Sequence, residues 1–213
     1  MTHVHQLTFG PFAENTYIIS DDEGNALIID PGMYDSLENA RFFEYVNAQN
    51  LKPKKLVLTH AHLDHVFGVN WVHQQYGLTP VLHQADKFIY DNAANVTRQY
   101  GLKMDDLIET DLGLEDGTVL EFGEAIFDIL HAPGHSPGSV CFYNSKEEYV
   151  IAGDVLFEGS IGRTDLPGGD FDTLIRSIKN QLMIMPDEVL IYSGHGPLTT
   201  IGQERISNPY LQD

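Results

Sequence analysis

The sequence is short of cysteine, of positive charge and of long apolar runs, and each shortage excludes something. A single cysteine, Cys141, rules out an internal disulfide. It lies in Ser139-Val140-Cys141-Phe142-Tyr143, which reads as a strand, so a small core residue is expected there. Only 12 lysines and arginines stand against 31 aspartates and glutamates, for a formal charge of −19. Such a surface repels nucleic acid and anionic membrane, so neither is an expected partner. No window approaches the roughly 20 apolar residues that a membrane-spanning helix needs. Met1-Thr2-His3-Val4-His5 lacks the apolar stretch of a signal peptide, which makes a cytoplasmic protein the expectation. No repeat, low-complexity tract or linker interrupts the chain, and its length suits one compact domain, residues 1–213.

What the chain does contain is a dense cluster of metal-ligand residue types, Thr59-His60-Ala61-His62-Leu63-Asp64-His65. Zinc, iron and manganese accept imidazole and carboxylate donors of this kind. A plainer reading makes Asp64 a helix cap, since Val66, Val69, Val72 and Tyr76 follow at helical spacing. A cap, however, needs one residue and leaves the three histidines unexplained. Further donors appear at His135 in Ala132-Pro133-Gly134-His135-Ser136-Pro137-Gly138, at Asp154 in Ala152-Gly153-Asp154, and at His195 in Ser193-Gly194-His195-Gly196-Pro197. Each follows an apolar run bounded by Gly or Pro: 56–58 before His60, 126–130 before His135, 149–151 before Asp154 and 189–192 before His195. The pattern predicts four strands that deliver ligands from loops at one end of a sheet, with glycines 134, 153, 194 and 196 where backbone must turn beside a ligand.

Elsewhere the pattern predicts a meander over 5–9, 16–20 and 26–30, then a helix from Ser36 to about Asn50 with Leu37, Phe42, Phe43 and Val46 inward. A strand at 79–83 precedes a helix over 84–100, its inner face Ile89, Ala93, Val96 and Tyr100 and its stop Gly101. Residues 102–116 read as an acidic irregular loop, and two hairpins span 118–152. A helix over 171–183 is capped by Asp170, and a short one spans 199–206. His3, His5, His73 and His83 have no motif around them and read as surface or packing residues. His131 ends a strand near His135. Arg163 is a rare base beside the candidate ligands, and an ion pair to Asp165 or Asp170 competes with contact to an anionic substrate.

With these residues in view, the chain resembles the metallo-β-lactamase superfamily, and most of all its glyoxalase II-like (hydroxyacylglutathione hydrolase) branch. Glu14-Asn15-Thr16-Tyr17, Asp30-Pro31-Gly32, the histidine cluster, residues 162–170 and Gly194-His195-Gly196-Pro197 carry the likeness. The resemblance implies an α/β fold, a four-layer αββα sandwich of two mixed sheets flanked by helices. It also implies two divalent metal ions, zinc foremost, with iron or manganese as alternatives. His60, His62 and His135 would hold the first metal; Asp64, His65 and His195 the second; Asp154 would bridge them. A hydroxide between the metals would attack the substrate carbonyl, with Asp64 as the catalytic residue that orients it or takes its proton. An acyl thioester is the expected small-molecule substrate, because its carbonyl is electrophilic and its thiolate leaves easily. Superfamily members that hydrolyse β-lactams generally lack a bridging aspartate, so Asp154 points away from that activity. The similar persulfide dioxygenases use one iron on two histidines and one carboxylate, here His60, His135 and Asp154, and a non-catalytic metal-binding module is a third reading.

Overall fold

The structure, a computed structural model, describes residues 1–212. It contains two compact units, one formed by Met1–Gly113 with Phe122–Glu124, the other by Leu114–Glu121 and the chain from Ala125 onward. Each is built on one six-stranded mixed sheet, the α/β class expected from the sequence.

In the first unit β1 (His3–Phe9), β2 (Glu14–Ser20) and β3 (Asn25–Ile29) form an antiparallel meander. Helix α1 (Ser36–Ala48) then crosses to β4 (Lys52–Val57), which lies parallel to β3 with Ile29 opposite Val57. Asp35 caps α1 by accepting from the amides of Leu37 and Glu38. Helices α2 (Leu63–Val66) and α3 (Val69–Tyr76) lead to β5 (Pro80–Leu82), again parallel. Helix α4 (Lys87–Gln99) leads to the two-residue β6 (Asp111–Leu112). One core cluster gathers Phe9, Ile18, Ile28, Phe42, Val46 and Val72; a second joins Leu58, Val66, Val69, Leu82 and Tyr90.

Three details depart from the sequence pattern. Only Phe42 and Val46 of α1 are buried, while Leu37 and Phe43 are exposed. The helix after the histidine cluster is two helices, and Asp64 sits inside α2 instead of capping it; the cap position is His62. The buried face of α4 is Tyr90, Ala93, Ala94 and Thr97, and Tyr100 is exposed. Apolar periodicity locates a helix but fixes its rotation only to within a residue, because neighbouring apolar positions compete for the core.

The second unit's sheet runs in the order β14-β13-β10-β9-β8-β7. Its strands are β7 (Val119–Phe122), β8 (Ala125–His131), β9 (Val140–Asn144), β10 (Tyr149–Gly153), β13 (Leu190–Ser193) and β14 (Thr199–Thr200). A separate small hairpin, β11 (Leu156–Phe157) with β12 (Ser160–Ile161), follows β10. Strands β10 and β13 are parallel neighbours, with Gly153 opposite Ser193. Helix α5 (Phe171–Ser177), capped by Asp170 as expected, continues into a wider π turn at Ile178–Leu182, and α6 (Ile201–Ser207) closes the unit. The four ligand-bearing runs therefore divide between two sheets, one on the first and three on the second, instead of sharing one. No helix among the described residues is long and apolar enough to cross a membrane.

Cys141 is fully buried on β9, and burial pushes its thiol up to about 12. Both access and thiolate character are thereby denied. The folded protein should not react with a thiol-specific disulfide reagent at pH 8, whereas one thiol should appear on denaturation. Rapid reaction of the native protein would contradict this packing.

Candidate metal-binding site

The first unit collects its donors at the carboxyl ends of its parallel strands, where open α/β sheets commonly place functional loops. Asp30 follows β3, Thr59 and His60 follow β4, and Asp86 lies in the turn after β5. Asp30 organises the group. Its Oδ1 accepts from the Thr59 amide at 2.7 Å; its Oδ2 accepts from the Thr59 hydroxyl at 2.5 Å and pairs with His65 Nδ1 at 3.0 Å. Since the Thr59 hydroxyl proton goes to Asp30, the Thr59 oxygen must accept from His60 Nδ1, 3.1 Å away. Both histidines thus carry their proton on Nδ1 and keep the lone pair on Nε2, the state a metal ligand requires.

The rings of His60 and His65 lie 4.0 Å apart, and His62 stands edge-on to His60 at 4.9 Å. Asp64 Oδ2 is 3.9 Å from His65 Nε2. A second buried carboxylate steadies the turn, because Asp86 accepts from the Ala61 amide at 2.9 Å. Asp30, His60 and His65 also have donor atoms within 4.8 Å of one another. Asp30 nevertheless faces the Nδ1 side and gives both oxygens to protein donors, so it orients ligands instead of serving as one. Glu14 is buried behind His65, its Oε1 3.9 Å from Nδ1, and accepts from the Thr16 hydroxyl at 2.9 Å. Burial pushes its carboxyl well above the usual range, against the pull of His65.

In the second unit the parallel pair β10 and β13 delivers Asp154 and His195, and the loop after β8 delivers His135. Asp154 Oδ2 lies 3.5 Å from His135 Nε2 and also 3.5 Å from His195 Nε2. Two ligands about 2.1 Å from one ion at a tetrahedral angle sit roughly 3.4 Å apart, so both spacings are those of donors sharing a metal. His135 Nδ1 donates to the Arg163 carbonyl at 2.7 Å, which again leaves Nε2 as the lone-pair nitrogen. Imidazole Nε2 atoms backed by hydrogen-bonded Nδ1 atoms, together with carboxylates, fit a divalent metal of the zinc, iron or manganese type.

The remaining candidates do other work. His131 pairs through Nε2 with the Pro137 carbonyl at 2.8 Å, inside the loop that bears His135. Arg163 forms a two-pronged ion pair with Asp165, which holds that carboxyl down at about 2, and Asp170 is the cap of α5. His3 pairs with Asp22, His5 with Tyr45 and Ser20, His73 with the Leu78 carbonyl, and His83 accepts from the Ala85 amide. Sequence reasoning missed the orienting roles of Asp30 and Asp86 and of the Arg163 carbonyl. Asp30 did carry a signal, since it ends an apolar run before Pro31-Gly32 much as Asp154 ends 149–153. The other two carried none, because a backbone carbonyl or a lone turn aspartate has no pattern.

Residues 9–195 match the family described as "Metallo-beta-lactamase superfamily". Hydroxyacylglutathione hydrolase GloC of Haemophilus influenzae is 41% identical over 202 residues, which are 94% of this chain and 93% of that protein. Among solved structures, BLEG-1 B3 metallo-β-lactamase superposes with a TM-score of 0.91 at 38% identity, covering 99% of this chain and 100% of that one. TTHA1623 in a di-iron-bound form superposes with a TM-score of 0.88 at 40% identity, covering 97% and 100%.

Proposed function

The chain belongs to the metallo-β-lactamase superfamily, and from that membership we propose that it is a dinuclear thioester hydrolase of the hydroxyacylglutathione hydrolase type. The observation that carries the reading is the single oxygen of Asp154 at ligand spacing from both His135 and His195. An oxygen so shared suits a carboxylate that bridges two ions. In this reading, which follows the family resemblance, His60, His62 and His135 would hold one metal, Asp64, His65 and His195 the other, and Asp154 would serve both. The family match runs from residue 9 to residue 195, through both units, which supports treating the chain as one functional domain.

When bound, a pair of divalent ions supplies a water of lowered pKa and polarises a carbonyl. The chain's own residues do the rest. Asp30 and the Arg163 carbonyl lock the histidine tautomers, so that Nε2 lone pairs are present before any ligand arrives. Asp64, partly exposed, would be a metal ligand and the carboxylate placed to hold a proton. Zinc is the ion we assign, with iron as the alternative that the di-iron form of TTHA1623 supports. The substrate we assign is a small acyl thioester.

A second reading, β-lactam hydrolysis, rests on the likeness to BLEG-1. A third, persulfide oxidation on His60, His135 and Asp154, uses the same donors with one iron. One assay set separates all three: thiol release from S-lactoylglutathione and other acyl thioesters, β-lactam opening, and oxygen uptake with a persulfide. Each is run with metal-replete and chelated protein, in air and without oxygen. We expect thiol release that chelator abolishes and oxygen removal leaves unchanged. Metal-replete protein that releases no thiol but opens a β-lactam, or consumes oxygen, would overturn the proposal.

A further inference from the structure

The three donors of the second unit are tied to one small element, the hairpin β11–β12. Asp154 stands at its entrance. Its Phe157 ring lies edge-on to His195 at 6.2 Å, and Leu156 O accepts from the Ser193 hydroxyl, two residues before His195, at 2.7 Å. The chain leaves the hairpin through Gly162 into Arg163, whose carbonyl holds His135 Nδ1. Entrance and exit are pressed together. A Cβ at Gly162 would come 1.9 Å from the Asp154 carbonyl and 3.0 Å from His135 Nδ1, so only glycine fits.

The tip of this hairpin is fastened from α6 by a carboxylate that no metal reading uses. Glu204 is fully buried. Its Oε2 accepts from the Gly159 amide at 2.9 Å and from Asn208 Nδ2 at 2.8 Å, and its Oε1 accepts from the Thr199 hydroxyl at 2.5 Å. Asn208, also fully buried, in turn donates to the Ser160 carbonyl at 3.0 Å. Glu204 and Asn208 thus grip the turn at two adjacent residues, Gly159 and Ser160, where the chain enters β12. A buried carboxylate accepting three hydrogen bonds is costly to strip of its partners, so the grip is rigid.

We propose that Glu204 is a positioning residue for the metal site. Through Asn208 and the hairpin it sets where Asp154, His135 and His195 stand relative to one another. It touches none of them, and the link to metal rests on the functional reading above. A glutamate-to-methionine change keeps the side-chain length and removes both acceptors. A glutamine keeps one acceptor and can donate to Thr199, whose hydroxyl can rotate to accept.

The test compares Glu204→Met and Glu204→Gln with Val72→Ala, a core change in the other unit that lowers stability without touching the hairpin. Two quantities are read: the His135 ring Nδ1–H resonance in metal-free protein, and metal affinity by chelator competition. Glu204→Met should displace or broaden that resonance and weaken metal binding about tenfold, the lower end of what loss of a ligand's partner does. Glu204→Gln should restore both. A resonance and an affinity unchanged in Glu204→Met, or moved equally by Val72→Ala, would overturn the proposal. A resonance displaced in Glu204→Met, while the parent protein itself binds no metal, would uphold the clamp and defeat the metal reading instead.

Discussion

Asp154→Asn protein should hydrolyse thioesters at least about a thousandfold more slowly than the parent, with no comparable loss of stability. In the proposed role this carboxylate would neutralise charge on the bound metal, and metal-derived transition-state stabilisation is worth several kcal/mol, each 1.36 kcal/mol being tenfold in rate. An asparagine has the same shape and side-chain volume. Its amide nitrogen carries no lone pair for a metal, and a neutral oxygen binds a cation more weakly. Asp154 Oδ2 is the atom that stands 3.5 Å from both His135 and His195, so one oxygen carries the effect. The measurement is kcat and bound metal per chain on metal-replete protein. A variant that kept two metals and more than a tenth of the parent rate would remove Asp154 from the bridging role.

Asp30 should be nearly as consequential, although it binds no metal in this reading. Its carboxylate holds the Thr59 amide, the Thr59 hydroxyl and His65 Nδ1, and through Thr59 it sets the proton on His60. Asp30→Ala leaves several buried groups without an acceptor, at about 1–3 kcal/mol each. It also places alanine at φ 51°, a left-handed conformation that aspartate and asparagine tolerate better. Asp30→Asn separates the two costs. Asparagine keeps the backbone conformation, but its amide nitrogen would face donors from Thr59 and His65. Metal affinity should therefore fall about 10–100-fold in both variants, while thermal stability falls further in Asp30→Ala. Chelator competition and thermal melts distinguish these effects. Parent-like metal affinity in Asp30→Asn would show that the histidine tautomers do not depend on Asp30.

Much of this was legible in the linear chain because metal chemistry draws on few residue types. His60, His62, Asp64 and His65 announce themselves by crowding into one turn, and no helix cap or surface needs that composition. His135, Asp154 and His195 are each isolated, yet each follows an apolar strand run and a glycine-containing turn, which is local information. The structure brings His135, Asp154 and His195 together within the second unit, and His60, His62 and His65 within the first. The ion pair of Arg163 with Asp165 was legible for the same reason, two residues being close enough for both prongs to reach.

What the chain's order could not reveal concerns rotation and partnership. Leu37 and Phe43 look as inward as Phe42, yet they are exposed, because a helix turned by one residue satisfies almost the same periodicity. Asp64 looks like a cap and is not one, since His62 ends the preceding loop in an extended conformation and takes that position.

The sequence by itself determined the fold class, the candidate ligands and the strands that carry them. Those rest on alternation, turn residues and donor chemistry, all readable over a few neighbouring positions. Only the tertiary structure decided that Asp30 presents its carboxylate to Thr59 and His65, that the Arg163 carbonyl holds His135, and that Glu204 grips the hairpin from 45 residues away. Those contacts are set by where the backbone returns after each excursion, and a hydrogen bond between distant buried groups leaves no periodic mark on the chain.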